Sequence, residues 1–330
     1  MENIPTNATS NETITTTNET KPMIPYAVET LPAFWDDVHS GCAAACVSTG
    51  FGGLDEIMGG GIRAGMYGLM APPGTGKTTA ILQVASNIAN SGQDVIVFSG
   101  EMAERDLHAK NLSRLSYQLG VHCPSMTATE IMSLPTRDDA ETVEKLLRAT
   151  YQPIAEKLVI VPPERINYET AVFDIVRAHI AATGNVPVVF VDYLQLIATK
   201  FSDLSERQSV DKFLAQLKEL SSSCNVPVFL ISSVNRNSYK EELSLASAKE
   251  SGGIEYTADM ILGMDYRDSK NKGYEYYCAH RDEARELKIQ VLKNRMGSWG
   301  KINLLMHAAH NYFEEEPVFH YGADKLRSVY

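Results

Sequence analysis

Apolar positions fall along this chain in two alternating rhythms. Short unbroken apolar runs at 66–70, 95–99, 158–161, 188–191 and 228–232 have the length and β-branched content of strands buried on both faces. Between them the spacing changes to that of helices. Ile81, Leu82, Ala85, Ile88 and Ala89 predict a helix from Gly76 to about Asn90, and Val210, Phe213, Leu214, Leu217 and Leu220 repeat the pattern further on. Strand and helix in turn predict an α/β fold with a mostly parallel central sheet flanked by helices. Beyond Asp259 the pattern is strand after strand, at 260–264, 287–292 and 301–306, so antiparallel strands are expected toward the C-terminus. No internal repeat of fixed period is present.

The ends differ from this body. Asn and Thr dominate the first 20 positions, so residues 1–25 are expected to be a disordered tail without enough apolar surface to order it. Residues 26–46 carry Phe34, Trp35 and Val38 and read as a linker or docking segment, seated on the core or on a neighbouring subunit. One large domain is expected over 47–316, with a short tail at 317–330.

Composition narrows the setting. The chain has 330 residues, 44% of them hydrophobic, enough for one large core. No run approaches the ~20 apolar residues of a membrane helix, and the N-terminus lacks the regions of a signal peptide, which points to a cytoplasmic protein with no membrane partner. Five scattered cysteines read as reduced thiols, and Cys42 with Cys46 is not a zinc site on its own. A net charge of -11 argues against a surface that coats duplex DNA while allowing a narrow positive channel. The stretch from Arg281 to Lys301 is locally basic.

The strongest chemical signal is Ala71-Pro-Pro-Gly-Thr-Gly-Lys-Thr78, which follows a predicted strand and opens a predicted helix. Such a loop turns backbone N–H groups inward around phosphates, with a helix N-terminus beneath. Ala71, Pro72, Pro73, Gly74, Thr75, Gly76, Lys77, Thr78 and Thr79 are therefore candidate nucleotide ligands. Lys77 is placed to reach the β and γ phosphates and Thr78 to bind Mg²⁺. Ligands of open α/β sheets sit beyond the carboxyl ends of the strands, where Glu101, Asp192, Ser232 and Ser233 also fall. Asp192 ends an apolar strand as a second Mg²⁺ group does, and Glu101 is a candidate base for the attacking water. Lys293 and Arg295 share one face of a strand. Their types alone leave open a solvated basic face or a pair of cations for phosphoryl transfer. Asn271-Lys272 is followed by Gly-Tyr rather than by the x-Asp that reads guanine, which disfavours GTP.

In these residues the chain resembles the C-terminal ATPase domain of DnaB-type replicative helicases, of the RecA-like P-loop NTPase superfamily. The likeness spans roughly 47–313. It rests on Ser48-Thr-Gly-Phe-Gly-Gly-Leu-Asp55, the phosphate loop, Phe98-Ser-Gly-Glu-Met102, Asp192-Tyr-Leu-Gln-Leu196, Asn225-Val-Pro-Val228, Ser232-Ser-Val-Asn-Arg236, Glu250-Ser-Gly-Gly-Ile-Glu255 with Asp259, and Lys293-Asn-Arg-Met-Gly297. In detail it looks most like the domains carried by bacterial mobile elements and phages. The resemblance implies a homo-oligomer, a hexameric ring with ATP between subunits and single-stranded DNA through the middle. It implies Glu101 as catalytic base, Asp192 as the Walker B acid, and Lys293 and Arg295 as cations reaching a neighbour's γ phosphate. Lys249, Glu250 and Gly252 match the loop that follows the DNA backbone, and a primase or a loader is an implied partner. The chain departs from the family at Ser233, usually Gln, and at Ala71, usually Gly. It also has only 46 residues before the match, where full-length relatives have a helical domain and linker.

Two other classes stand beside helicase or translocase. A recombination ATPase resembling RadA shares several motifs but carries a zinc ribbon and a protease-like domain. A nucleotide-gated loader or scaffold would have no use for Glu101 as a base.

Overall fold

The apolar runs become strands, and in all but the one at 158–161, where Val159 is exposed, both faces are covered. The computed structural model describes residues 26–41, 46–166, 171–192, 204–234, 243–245, 253–295, 297 and 299–317. Nine strands form one sheet in the order β3-β2-β4-β5-β1-β6-β7-β8-β9. They are β1 (Gly65–Ala71), β2 (Val95–Ser99), β3 (Leu158–Val161), β4 (Val188–Asp192), β5 (Pro227–Ser233), β6 (Met260–Tyr266), β7 (Arg285–Asn294), β8 (Lys301–His307) and β9 (Tyr312–Glu315). The six strands from β3 to β6 in that order run parallel, and β7, β8 and β9 are added antiparallel. The predicted strands are all present, and β9 is one that the pattern did not announce.

Successive side chains of each central strand enter opposite layers. On β4, Val188 and Phe190 join one apolar cluster and Val189 and Val191 the other. Tyr67 and Leu69 against Met66 and Met70 on β1, and Phe229 and Ile231 against Val228 and Leu230 on β5, divide likewise. The first layer is built with α3 (Lys77–Asn90), α4 (Glu104–Gln118) and α6 (Ala140–Ala155). The second is built with α7 (Ala171–Thr183) and α8 (Glu206–Cys224). Each large apolar side chain so buried contributes about 1.5–3 kcal/mol. Toward the C-terminus Leu287, Ile289 and Val291 alternate with half-buried polar neighbours, as expected of antiparallel strands covered mainly on one face.

The helix at 206–224 is sharply bounded. Ser205 caps its start, accepting from Gln208 N at 3.4 Å, and Asn225 ends it in the left-handed conformation at φ 56°. Further helices among the described residues are α2 (Gly52–Ile57), α5 (Ala128–Met132), α9 (Ile254–Thr257) and α10 (Tyr274–Ala279).

Residues 26–41 belong to a separate unit from the body that starts at Cys46. Within it α1 (Ala27–His39) leaves Val28, Leu31, Phe34, Trp35 and Val38 exposed, with the Phe34 and Trp35 rings edge to face at 5.3 Å.

Candidate functional site

β1 ends at Ala71 in extended backbone, so the methyl group there costs no conformational strain. The loop then turns at Gly74 (φ 80°) and Gly76 (φ 89°). Both left-handed conformations favour glycine, and a Cβ on Gly74 would also press against the Tyr274 ring. Thr75 is fully buried, its hydroxyl donating to Pro72 O at 2.8 Å. α3 starts directly from Gly76 with no side-chain cap, leaving its first N–H groups directed at the loop.

A cleft of about 480 Å³ opens over this loop, lined by Lys77, Thr78, Thr79, Glu101 and Asp192 among others. The five come from three elements that the sheet brings together. β2 and β4 pair so that Ser99 faces Asp192, and Gly100 N donates to Asp192 O at 2.5 Å. Ser99 holds the next turn, accepting from Met102 N at 3.1 Å and donating to Met102 O at 2.8 Å, which sets Glu101 at the cleft.

Burial dominates the electrostatics of the cleft. Burial lowers the Lys77 ammonium to about 8, although Asp192 and Glu101 pull it upward. Its Nζ donates to Ala71 O at 2.9 Å and Pro72 O at 3.1 Å, carbonyls of its own loop. Burial raises the Asp192 carboxyl to about 6; Glu101 adds to the rise, and the Thr78 hydroxyl and Lys77 oppose it. A buried carboxylate bonded to a threonine hydroxyl, with a second carboxylate beside it, is a hard oxygen donor set that suits Mg²⁺. Among the described residues no cluster of three His, Cys, Asp or Glu would hold a metal on its own.

Lys293 and Arg295 are not in this cleft. β6 and the parallel strands end at the phosphate loop, whereas β7 starts there and runs away from it. Its ten residues span roughly 30 Å. At the far end Arg295 Nη1 donates to Asp259 Oδ1 at 2.9 Å and Nη2 to Tyr256 O at 3.0 Å. Lys293 Nζ donates to the carbonyls of Glu255 and Ala258 at 2.5 and 2.7 Å. Lys218 and Met66 N also bond Asp259, which closes a small polar hub. Lys249, Glu250 and Gly252 lie outside the described residues.

Three lining residues were not among the expected site residues, although Arg285 falls in the locally basic stretch. Lys110 reaches the cleft from α4, bonding Asn311 Oδ1 at 2.8 Å and standing 3.4 Å from the Thr79 hydroxyl. Asn311 is held in the left-handed conformation at φ 54°. Arg285 enters from the start of β7. Each is brought in by folding from a distant part of the chain, and none belongs to a local motif.

Comparisons with known proteins bear on the family and the fold. The profile of the DnaB-like helicase C terminal domain matches residues 46–315. The chain is 28% identical over 274 residues to the replicative DNA helicase DnaB of Mycoplasma pneumoniae, covering 78% of this chain and 54% of that protein. It is 24% identical over 302 residues to the DnaB of Helicobacter pylori, covering 82% and 60%. It thus spans little more than half the length of these relatives. Among solved structures, an isolated ATPase domain superposes with a TM-score of 0.73 at 21% identity, covering 88% of this chain and 98% of that one. A DnaB-like replicative helicase studied with primase gives 0.69 at 21% identity, covering 88% and 67%. A KaiC-like protein from Pyrococcus horikoshii gives 0.54 at 20% identity, covering 83% and 99%. At these identities the structures establish the fold, a RecA-like α/β sheet with antiparallel C-terminal strands.

Proposed function

This chain belongs to the DnaB-like helicase C-terminal domain family, and on that premise we propose that it is an ATP-driven motor on single-stranded DNA. In this reading it works in the cytoplasm as a ring, most simply a hexamer, during replication, with a primase or loader as partner. The source would be a bacterial mobile element or phage.

The single observation that carries the reading is the division of the catalytic cations between opposite ends of one sheet. Lys77 sits on the phosphate loop, while Lys293 and Arg295 lie a strand's length away. No side chain spans that distance, so Arg295 acts on phosphate only if the phosphate belongs to another copy. A head-to-tail ring supplies that arrangement at every interface.

Within the site, Thr78 and Asp192 would hold Mg²⁺, which supplies charge neutralisation of the phosphates when bound. Lys77 leaves the Ala71 and Pro72 carbonyls for the phosphate oxygens. Glu101 accepts a proton from water as its oxygen bonds to the γ phosphorus and the bond to the β-phosphate oxygen breaks. Arg295 of the adjoining copy faces the charge that develops. Lys249, Glu250 and Gly252 are assigned to the DNA backbone on the motif they share with the family.

Purified protein should hydrolyse ATP with Mg²⁺, faster with single-stranded DNA, and unwind a fork. Glu101→Gln should keep nucleotide affinity and lose turnover by about 100-fold or more. Equal rates for the two proteins, or no response to DNA, would refute the assignment.

A further inference from the structure

The guanidinium of Arg285 has no place in the mechanism above, yet it lines the same cleft as Lys77, Thr78, Glu101 and Asp192. Its Nη1 donates to Gly74 O at 2.7 Å, and the Tyr266 hydroxyl donates to the same carbonyl at 3.2 Å. Among the described residues no carboxylate pairs with it. A half-buried arginine that uses one of its five N–H groups on the phosphate loop, and leaves the rest beside a cavity, is arranged for an anion.

Its position fixes which part of the anion. The strand order puts β4, with Asp192, and β2, next to Glu101, on one side of β1. β7 and β8 lie on the other side, and there Arg285 shares the cleft wall with Met306, Ala308 and Asn311. The γ phosphate must face Glu101 and Asp192, so the remainder of the nucleotide extends toward Arg285.

We propose that Arg285 is a second phosphate-binding cation supplied by the same chain, holding the α and β phosphates of the nucleotide while it braces the loop through Gly74. The inference rests on the nucleotide reading of the cleft and adds a specific division of labour. Lys77 and the neighbour's Arg295 serve the phosphate that is transferred; Arg285 serves the part that stays. Its contribution is therefore the same before and after hydrolysis, which is uniform binding, and it should appear in KM and not in kcat.

The test is titration of the whole 330-residue chain with fluorescent ATP and ADP analogues, alongside steady-state ATP turnover, for wild type, Arg285→Met and Arg285→Lys. Loss of one charge-assisted contact predicts roughly tenfold or more weaker binding of both nucleotides by Arg285→Met. KM should rise in step, kcat at saturation should stay within about twofold, and Arg285→Lys should recover part of the affinity because the charge remains. Unchanged affinity in Arg285→Met would overturn the proposal. So would a fall in kcat at unchanged affinity, or a loss explained by a lower melting temperature of the nucleotide-free protein. Wild type that binds neither nucleotide would instead remove the reading on which the proposal stands.

Discussion

At the residue scale, the cleft keeps two groups in states that folding alone would not choose. Asp192 is buried with its carboxyl raised to about 6, and Lys77 is buried with its ammonium lowered to about 8. Both shifts penalise the charged form in the folded protein. Asp192 is ionised in the unfolded chain above about 4, so its penalty is absent below that pH, grows through 6 and is complete above it. Lys77 is penalised below about 8, and the penalty fades as pH rises toward its ordinary value. Asp192→Asn should therefore raise the melting temperature of nucleotide-free protein at pH 7 by a few °C, with the gain gone near pH 4. Differential scanning fluorimetry across pH measures this, and a destabilised variant at pH 7 would contradict it. The same two groups set the window for ligand. ATP affinity should be highest between about pH 6 and 8, falling below as Asp192 is protonated and above as Lys77 loses its proton.

At the scale of elements, what the sequence shows depends on what covers each segment. Strands buried on both faces must be apolar throughout, so β1, β2, β4 and β5 stand out as runs, and the carboxyl ends of β2 and β4 point to Glu101 and Asp192. α4 has no comparable stripe, because much of its buried face is polar. Asn111, Ser113, Arg114 and Ser116 are all inside. Asn111 is satisfied by the Ser86 hydroxyl at 2.9 Å and by Tyr151 at 3.2 Å, and Ser113 donates to Met126 O at 2.7 Å. Lys110, on that helix, was illegible for the same reason. β9 makes no apolar run, because Phe313 is its one buried residue and two glutamates follow it. The Lys293 and Arg295 pair was legible as a pair, but its distance from the loop required the direction of β7.

The hub at the far end of that strand has its own energetics. Burial would raise the Asp259 carboxyl, but hydrogen bonds from Lys218 and Met66 N, with Arg295 beyond them, hold it below the ordinary range. This group stabilises the fold above its unfolded pKa, and the stabilisation is lost as pH falls through its lower folded value. Asp259→Ala should cost about 1–3 kcal/mol at pH 7, read as a lower urea midpoint. The difference from wild type should shrink below about pH 4. A deficit that persists unchanged at low pH would show that lost packing, and not the ionic hub, is responsible.

At the scale of the whole molecule, one chain holds a phosphate loop and a basic strand end that do not serve each other. They can act together only across copies. Mixed assemblies decide this most directly: Lys77→Ala and Arg295→Ala chains are co-expressed, purified together, and their ATP turnover with single-stranded DNA is measured against each variant alone. An interface pairing the intact loop of an Arg295→Ala chain with the intact arginine of a Lys77→Ala chain is complete. The mixture should therefore recover turnover that neither parent has. A mixture as inactive as its parents would contradict a site shared between copies.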